Sequence, residues 1–347
     1  MTAPTAPARI AVVGAGLASA PYWVSLHELR EKAQVAWLVG RTHERVAAVQ
    51  PRFPGAQATV ELDDVLADPG VVAALVLTPP NTHLEIASRL AAAGKHVLLE
   101  KPLEIDTARA QHLVEACRAA GVRLGVMLQH RLRPAGLAMR ALVRSGALGE
   151  MCSAAVDMRW WRPQGYYDEP GRGTHARDGG GVLMTQGIHT LDLFLEIAGA
   201  PAALVAFAGT SAAHRMECED IVAAALRYAN GATATLNATT ASYPGFPERI
   251  EFSGTRGTAR LVAGRLEVHY LDGRCELLGE EQALGSGANP MDFPHQPHRA
   301  VIADFLDAVA GGREPAVTGA SALRVHRLID ALLQSAAGGT VLPFADA

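Results

Sequence analysis

Two side chains stand where their type and surroundings could move protons and charge. Lys101 follows a short apolar run, Val97-Leu98-Leu99, across Glu100, and is itself followed by Pro102 and Leu103. The run reads as a buried strand of a parallel sheet. Open α/β sheets bind ligands beyond the carboxyl ends of their strands, so Lys101 is expected at the mouth of a crevice. Pro102 removes a backbone donor and keeps Lys101 out of helical geometry, which ends the strand and aims the ammonium. For this stretch alone, a solvated lysine in a strand-to-helix turn is the plainer alternative. His189 lies in a second stretch, where Gly179-Gly180-Gly181 leads through Thr185-Gln186-Gly187-Ile188 to His189 and Asp192. The glycines permit close backbone approach, and the i, i+3 spacing puts His189 and Asp192 on one helix face. An imidazole can carry the proton that an alcohol loses as hydride departs. Asp192 could orient that ring or bind a hydroxyl. A packing histidine is the plainer alternative here, and no cluster with metal-ligand spacing accompanies the pair, so no metal is expected.

The elements that must position these residues alternate. Residues 9–13 read as a strand, and Gly14-Ala15-Gly16 turns it into a helix expected from Ala20 to Lys32. Two glycines of a dinucleotide fingerprint are present, one for the tight turn and one for close approach to a pyrophosphate; Ser19 stands in place of the third. A second strand, 35–39, ends in Gly40-Arg41-Thr42-His43, with no acid before Glu44. A carboxylate there would hold the ribose hydroxyls of NAD, whereas Arg41, with Arg45 behind it, suits the 2′-phosphate of NADP. NADP(H) is therefore favoured, with NAD(H) possible; the alternative is that Thr42 caps the next helix while Arg41 points to water. Further strands are expected at 71–77, 96–100 and 122–128, with helices at 63–67, from His83 to about Gly94, and at 106–120, the last closed by Gly121. Strands alternating with helices predict a doubly wound parallel sheet, the Rossmann arrangement.

Beyond Pro134 the pattern changes. A helix over 135–145 and a strand over 151–160 precede a polar loop, 162–175. Its Tyr167 and Arg172 offer an aromatic face and a forked donor suited to a polyhydroxylated ligand, unless the loop serves as a dimer contact. Strand-like runs follow at 202–209, 220–228, 232–240, 249–253, 258–262 and 266–270, with hairpin signals at Asn230-Gly231 and Asp272-Gly273. Helices over 300–310 and 320–336 close the chain. The fold class is α/β: a nucleotide-binding domain over residues 1–128, and a substrate-binding and oligomerisation domain over 129–347 with a large, mainly antiparallel open sheet.

Composition narrows the function. A formal net charge of −4 and the lack of a basic block argue against a nucleic-acid surface. The apolar runs are too short to span a bilayer. Residues 1–8 lack the features of a signal peptide and read as a frayed tail. Cys117, Cys152, Cys218 and Cys275 are widely spaced with no metal spacing, as expected of buried thiols in a reducing cytoplasm.

Taken together, Gly14-Ala15-Gly16, Thr78-Pro79-Pro80-Asn81-Thr82-His83, Glu100-Lys101-Pro102 and Gln129-His130-Arg131, in that order, resemble the glucose–fructose oxidoreductase, inositol dehydrogenase and MocA family of sugar dehydrogenases. The Gly-Gly-Gly and Gln-Gly-Ile-His-x-Leu-Asp run matches its second signature. The resemblance spans nearly the whole chain. It implies NAD(P)-dependent hydride transfer to or from a secondary alcohol or ketone of a sugar, cyclitol or derivative. It implies cofactor contacts from Gly14, Gly16, Leu17, Ala18, Arg41, Thr78, Pro79, Asn81, His83, Glu100, Lys101 and Gln129. Lys101 would hold the reacting oxygen, often beside a cis Lys-Pro bond, and His189 would be the general acid/base. Many relatives carry Asp where Thr185 stands; a hydroxyl keeps hydrogen bonding but not the charge, so an altered substrate is expected. Asp192 and His298 are further substrate-side expectations, and pairing of copies through the open sheet, as a dimer or tetramer, is another. The alternatives are reduction of a non-sugar carbonyl or imine, or a nucleotide-sensing regulator without chemistry.

Overall fold

The computed structural model describes residues 6–14, 19–280, 287 and 294–344. The chain folds as two compact units, one made of 1–129 with 295–323, the other of 130–294 with 324–347.

In the first unit the chain runs β1 (Ala8–Val13), α1 (Ala20–Glu28), β2 (Ala33–Val39), α2 (His43–Val49), β3 (Gln57–Thr59), α3 (Leu62–Ala67), β4 (Ala73–Val76), α4 (His83–Ala92), β5 (His96–Leu99), α5 (Thr107–Ala119) and β6 (Leu124–Val126). The strands pair in parallel in the order β3-β2-β1-β4-β5-β6, the expected doubly wound sheet. β4 is buried at every position, as a strand covered on both faces must be. Local signals set the helix starts. The Asp106 carboxylate accepts from the Arg109 N–H at 2.7 Å, and Thr42 accepts from the Arg45 N–H. The first helix ends at Glu28, short of the expected Lys32. Residues 29–32 are needed as the turn into β2, and the Lys32 N–H closes it on the Leu29 carbonyl.

In the second unit α6 (Pro134–Arg144) and β7 (Met151–Arg159) are followed by two single helical turns, α7 (Gln164–Tyr167) and α8 (His175–Asp178), where a plain loop was expected. A π turn over Leu183–Gly187 runs into α9 (Ile188–Ala198). Then come β8 (Ala203–Gly209), β9 (Ile221–Arg227), β10 (Thr233–Thr239), β11 (Arg249–Gly254), β12 (Gly257–Val262), β13 (Arg265–Tyr270) and β14 (Cys275–Leu278). The sheet order is β14-β13-β12-β11-β7-β10-β9-β8, ending in a short β15 (Leu342–Pro343); only β7 and β10 pair in parallel. Gly231, at φ 87°, makes the β9–β10 hairpin where Asn-Gly announced it.

The expected boundary after residue 128 put everything beyond it in one domain, and here the fold differs. α10 (Gln296–Gly311) and the residues after it return to the first unit. Phe305 and Ile302 are fully buried, Lys32 pairs with Asp307 at 2.5 Å, and the Val126 N–H donates to the Val317 carbonyl at 3.1 Å. The edge of β6 needs cover and finds it in this returning segment, which no local pattern could announce. α11 (Gly319–Gly338) begins with the first unit and continues in the second. Among the described residues no helix is long and apolar enough to cross a membrane. All four cysteines are free, but only Cys117 and Cys218 are buried as expected; Cys152 points outward from β7, and Cys275 lies on β14, an edge strand exposed along its length.

The returning helix is packed closely enough to be tested. A Cβ on Gly125 would lie 2.9 Å from Phe305 Cδ2 and 3.1 Å from Leu98 Cδ1. Gly125→Ala should therefore destabilise the protein by about 1–3 kcal/mol through overpacking. Chemical denaturation of the two proteins measures the loss, and Gly125→Ala with Phe305→Leu should recover part of it.

Candidate active site

In the first unit, the ends of β4 and β5 are wired together by buried polar groups. Gly14, at φ 104°, lies so near the end of β4 that a Cβ would meet the Leu77 carbonyl carbon at 2.9 Å. Thr78 and Lys101 are half-buried, whereas Pro79, Asn81 and Arg41 are exposed, all available to a ligand. The Lys101–Pro102 bond is cis. The Glu100 carboxylate accepts from the Tyr22 hydroxyl and from the Lys101 N–H, both at 2.8 Å. Burial pushes that carboxyl up, against the pull of the Lys101 charge, and burial beside Glu100 pushes the Tyr22 phenol well up. Glu104, fully buried, accepts from the N–H groups of Leu84 and Ile105 and from Arg109, so the stretch after Lys101 is held from both ends.

His83 has a different place from the one expected. Its ring is fully buried, so it cannot touch a ligand. Nε2 lies 2.8 Å from the Thr78 carbonyl, and Nδ1 lies 3.0 Å from the Pro102 carbonyl and 3.2 Å from that of Leu103. It ties the two strand-end turns to each other. The carbonyls favour its protonated form, but burial is the larger effect and holds it below the ordinary imidazole value. His298 is buried with its ring edge-on to Tyr22 at 5.4 Å, which makes it part of this packing. Gln129 is buried at the carboxyl end of β6, and its Oε1 has no hydrogen-bond partner among the described residues. Gly16, Leu17 and Ala18 lie outside the described residues. Thr42 caps α2, as its alternative reading held, and Arg41 stays exposed beside it.

In the second unit, His189 stands half-buried in the first turn of α9, with Thr185 half-buried one turn earlier. The turn before them is clamped by Gly181 and Glu219. The Glu219 carboxylate accepts from the Gly181 and Leu183 N–H groups at 3.0 and 3.2 Å, and its carbonyl accepts from Val182. A Cβ on Gly181 would fall 1.7 Å from that carbonyl oxygen, so only glycine fits. The Thr185 hydroxyl donates to the Gly181 carbonyl at 2.7 Å and also contacts the Gln186 amide oxygen.

Asp192 is a correction. It is 1% exposed, and both its oxygens accept from the Arg131 guanidinium, Nε at 2.6 Å and Nη2 closer still. Burial pushes the Asp192 carboxyl up and Arg131 opposes it. Arg131 also meets Glu196, which gathers Arg140, Arg144 and Arg324 as well. Asp192 thus anchors α9 to the segment after β6 and has no surface for a substrate hydroxyl. Tyr167 is a second correction. It is buried, with its hydroxyl 2.7 Å from Thr240 Oγ1 and its ring against His214. Its neighbour Tyr166 is the half-open one. The Arg172 guanidinium lies 4.1 Å over the Tyr166 ring and pairs with Glu169, and Gln186 Nε2 donates to the Tyr166 hydroxyl at 3.5 Å. Tyr166, Gln186 and His130 are additions that sequence reading missed. The Tyr-Tyr pair and the Gln-His-Arg motif were visible, but not that Tyr166 is the half-open tyrosine or that His130, itself buried, stacks on His189.

The buried ion pair yields a prediction. Asp192→Asn removes the bidentate partner of the buried Arg131, leaving it only the longer contact to Glu196, and should cost up to about 3–5 kcal/mol, read as a lower denaturation midpoint. Replacing both with apolar residues, Arg131→Met with Asp192→Leu, should restore much of that stability.

Comparison with known proteins follows the same two-part division. Residues 8–128 match the family described as "Oxidoreductase family, NAD-binding Rossmann fold", and residues 137–260 match the "GFO/IDH/MocA C-terminal domain". D-apiose dehydrogenase of Rhizobium rhizogenes is 28% identical over 313 residues, 88% of this chain and 89% of that protein. The scyllo-inositol 2-dehydrogenase (NADP(+)) IolW of Bacillus subtilis is 27% identical over 202 residues, 57% of this chain and 54% of that one. Among solved structures, the WlbA dehydrogenase of Bordetella pertussis in complex with NADH and UDP-GlcNAcA superposes with a TM-score of 0.83 at 28% identity, covering 98% of this chain and 99% of that one.

Proposed function

The chain belongs to the Gfo/Idh/MocA family of NAD(P)-dependent oxidoreductases, and on that premise we propose that it oxidises a secondary alcohol of a sugar, cyclitol or sugar derivative, or reduces the matching ketone. The observation that carries the reading is that Lys101 and His189 are each half-open and backed by bonded groups: Glu100 and the buried His83 and Glu104 in one unit, the buried His130 and the Arg131–Asp192 pair in the other. Such support is what a reacting group needs and a solvated surface group does not.

The residues fit a dinucleotide. Gly14 keeps the backbone clear of a Cβ, Thr78, Pro79 and Asn81 present accessible surface at the end of β4, and Gln129 turns an unpartnered amide oxygen into its surroundings, suited to a carboxamide N–H. When bound, NAD(P) supplies the hydride acceptor or donor. Lys101 holds the substrate oxygen and stabilises the negative charge on it, which builds as the hydroxyl proton leaves in oxidation or as hydride reaches the carbonyl carbon in reduction. His189 accepts the hydroxyl proton in oxidation and returns it in reduction. Thr185 and Tyr166 offer hydroxyls to the substrate, and Arg172 a guanidinium. D-Apiose dehydrogenase, an inositol dehydrogenase and a UDP-sugar-bound dehydrogenase among the relatives support a carbohydrate-like substrate. Arg41, exposed and with no carboxylate between Val39 and His43, supports NADP(H). Phe207 and Ile221 are exposed on the same face of β8 and β9, and this open face is the surface through which copies of the chain would pair.

Lys101→Ala and His189→Ala should each lower kcat by about 100-fold or more while the dissociation constant for the reduced cofactor, followed by nicotinamide fluorescence, stays within about twofold. Unchanged turnover in both would overturn the assignment. Arg41→Ala should weaken NADPH binding about tenfold with NADH little affected; tighter wild-type binding of NADH would reverse the cofactor choice.

A further inference from the structure

We propose that Glu248 and His130 form a positioning pair behind His189, setting the charge state of that imidazole through a stacked ring; the catalytic part of this rests on the role given to His189 above. The His130 ring stacks on the His189 ring, with centroids 5.0 Å apart and planes 28° from parallel. Its other side meets a carboxylate: Nδ1 lies 3.5 Å from Glu248 Oε1. That same oxygen accepts from Arg133 Nη1 at 3.0 Å. All three side chains are about nine-tenths buried.

Glu248 does not behave as a purely structural anion. Its Oε2 has no hydrogen-bond partner among the described residues and neither does the Thr190 hydroxyl, which follows His189 on α9. Both line a small cleft with His130, Arg133, Leu193 and Ile250. A buried carboxylate serving stability alone would bond both oxygens. Here one oxygen faces the His130 ring, and the other has no partner among the described residues, in a small, mostly apolar cleft also lined by Thr190. Burial pushes the Glu248 carboxyl up, and the Arg133 charge opposes this.

The other charges near the stack are already engaged. Arg131, next to His130 in the chain, is bonded to Asp192 and Glu196. On α6 and α11, Arg140, Arg144 and Arg324 meet Glu196. On β7 and β11, Asp157 pairs with Arg249, and Asp157 alternates with Val156 and Met158, which face the core. Arg249 also meets Glu251, on the same strand. Glu248 thus reaches His189 only across the His130 ring: with His130 neutral it is the anion placed to favour an imidazolium at His189, with Arg133 limiting its effect.

The test reads the His189 ring directly, by NMR titration of histidine-labelled protein. Glu248→Gln removes the negative charge but keeps the shape, so the His189 midpoint should fall by about 0.5–1 pH unit. Glu248→Asp, which keeps the charge, should restore most of it. In steady-state kinetics Glu248→Gln should lower kcat about tenfold with KM little changed, and should add nothing in a His130→Phe background. An unchanged His189 midpoint in Glu248→Gln, or a loss of thermal stability with kcat and its pH profile intact, would overturn the pairing. If the midpoint moves as expected while His189→Ala keeps full turnover, the coupling stands and the role given to His189 falls.

Discussion

A buried charge must be paired or it costs several kcal/mol, and the second unit turns that penalty into geometry. Arg131 and Asp192 are both almost fully buried and bonded through two atoms each. Two parallel N–H···O bonds fix angle as well as distance. The segment after β6 therefore meets α9 in one rotational setting. That setting carries His130 onto the face of His189 and leaves the latter half-open. The Gly181–Glu219 contact then fixes the other end, because the turn before α9 can close only where no side chain intervenes.

The first unit reaches a similar result with different chemistry. Lys101 lies between two acids, the half-buried Glu100 and the buried Glu104, that spend their oxygens on backbone N–H groups and on Tyr22 and Arg109. His83 links the Thr78 turn to the Pro102 turn through carbonyl contacts alone. In both units a half-open side chain, Lys101 or His189, is held mainly by neighbours turned into the interior. That division of labour keeps a long, flexible side chain from losing its aim, since the supporting rotamers are locked by packing.

The corrections share one cause. Asp192 and His189 do lie on one helical face by spacing, yet a helix face is wide enough for one residue to point into the core and another toward its rim. Tyr166 and Tyr167 are adjacent, and the backbone turn of α7 sends one ring inward to Thr240 and the other out beneath Arg172. α10 was readable as a helix, but its partner sheet lies far earlier in the chain, with β7 to β14 of the second sheet between them, and no local period encodes such a contact.

What the order of residues determined alone was everything governed by short-range periodicity and turn chemistry. The alternating strands and helices, the Asn-Gly hairpin, the cap at Thr42 and the Glu-Lys-Pro turn were all legible, because backbone sterics and apolar spacing act over a few residues. Tertiary structure decided which polar side chains are spent inside and which remain for a ligand. Burial and pairing depend on distant partners such as Arg131 with Asp192 or His130 with Glu248, and only the folded chain brings those charges within reach.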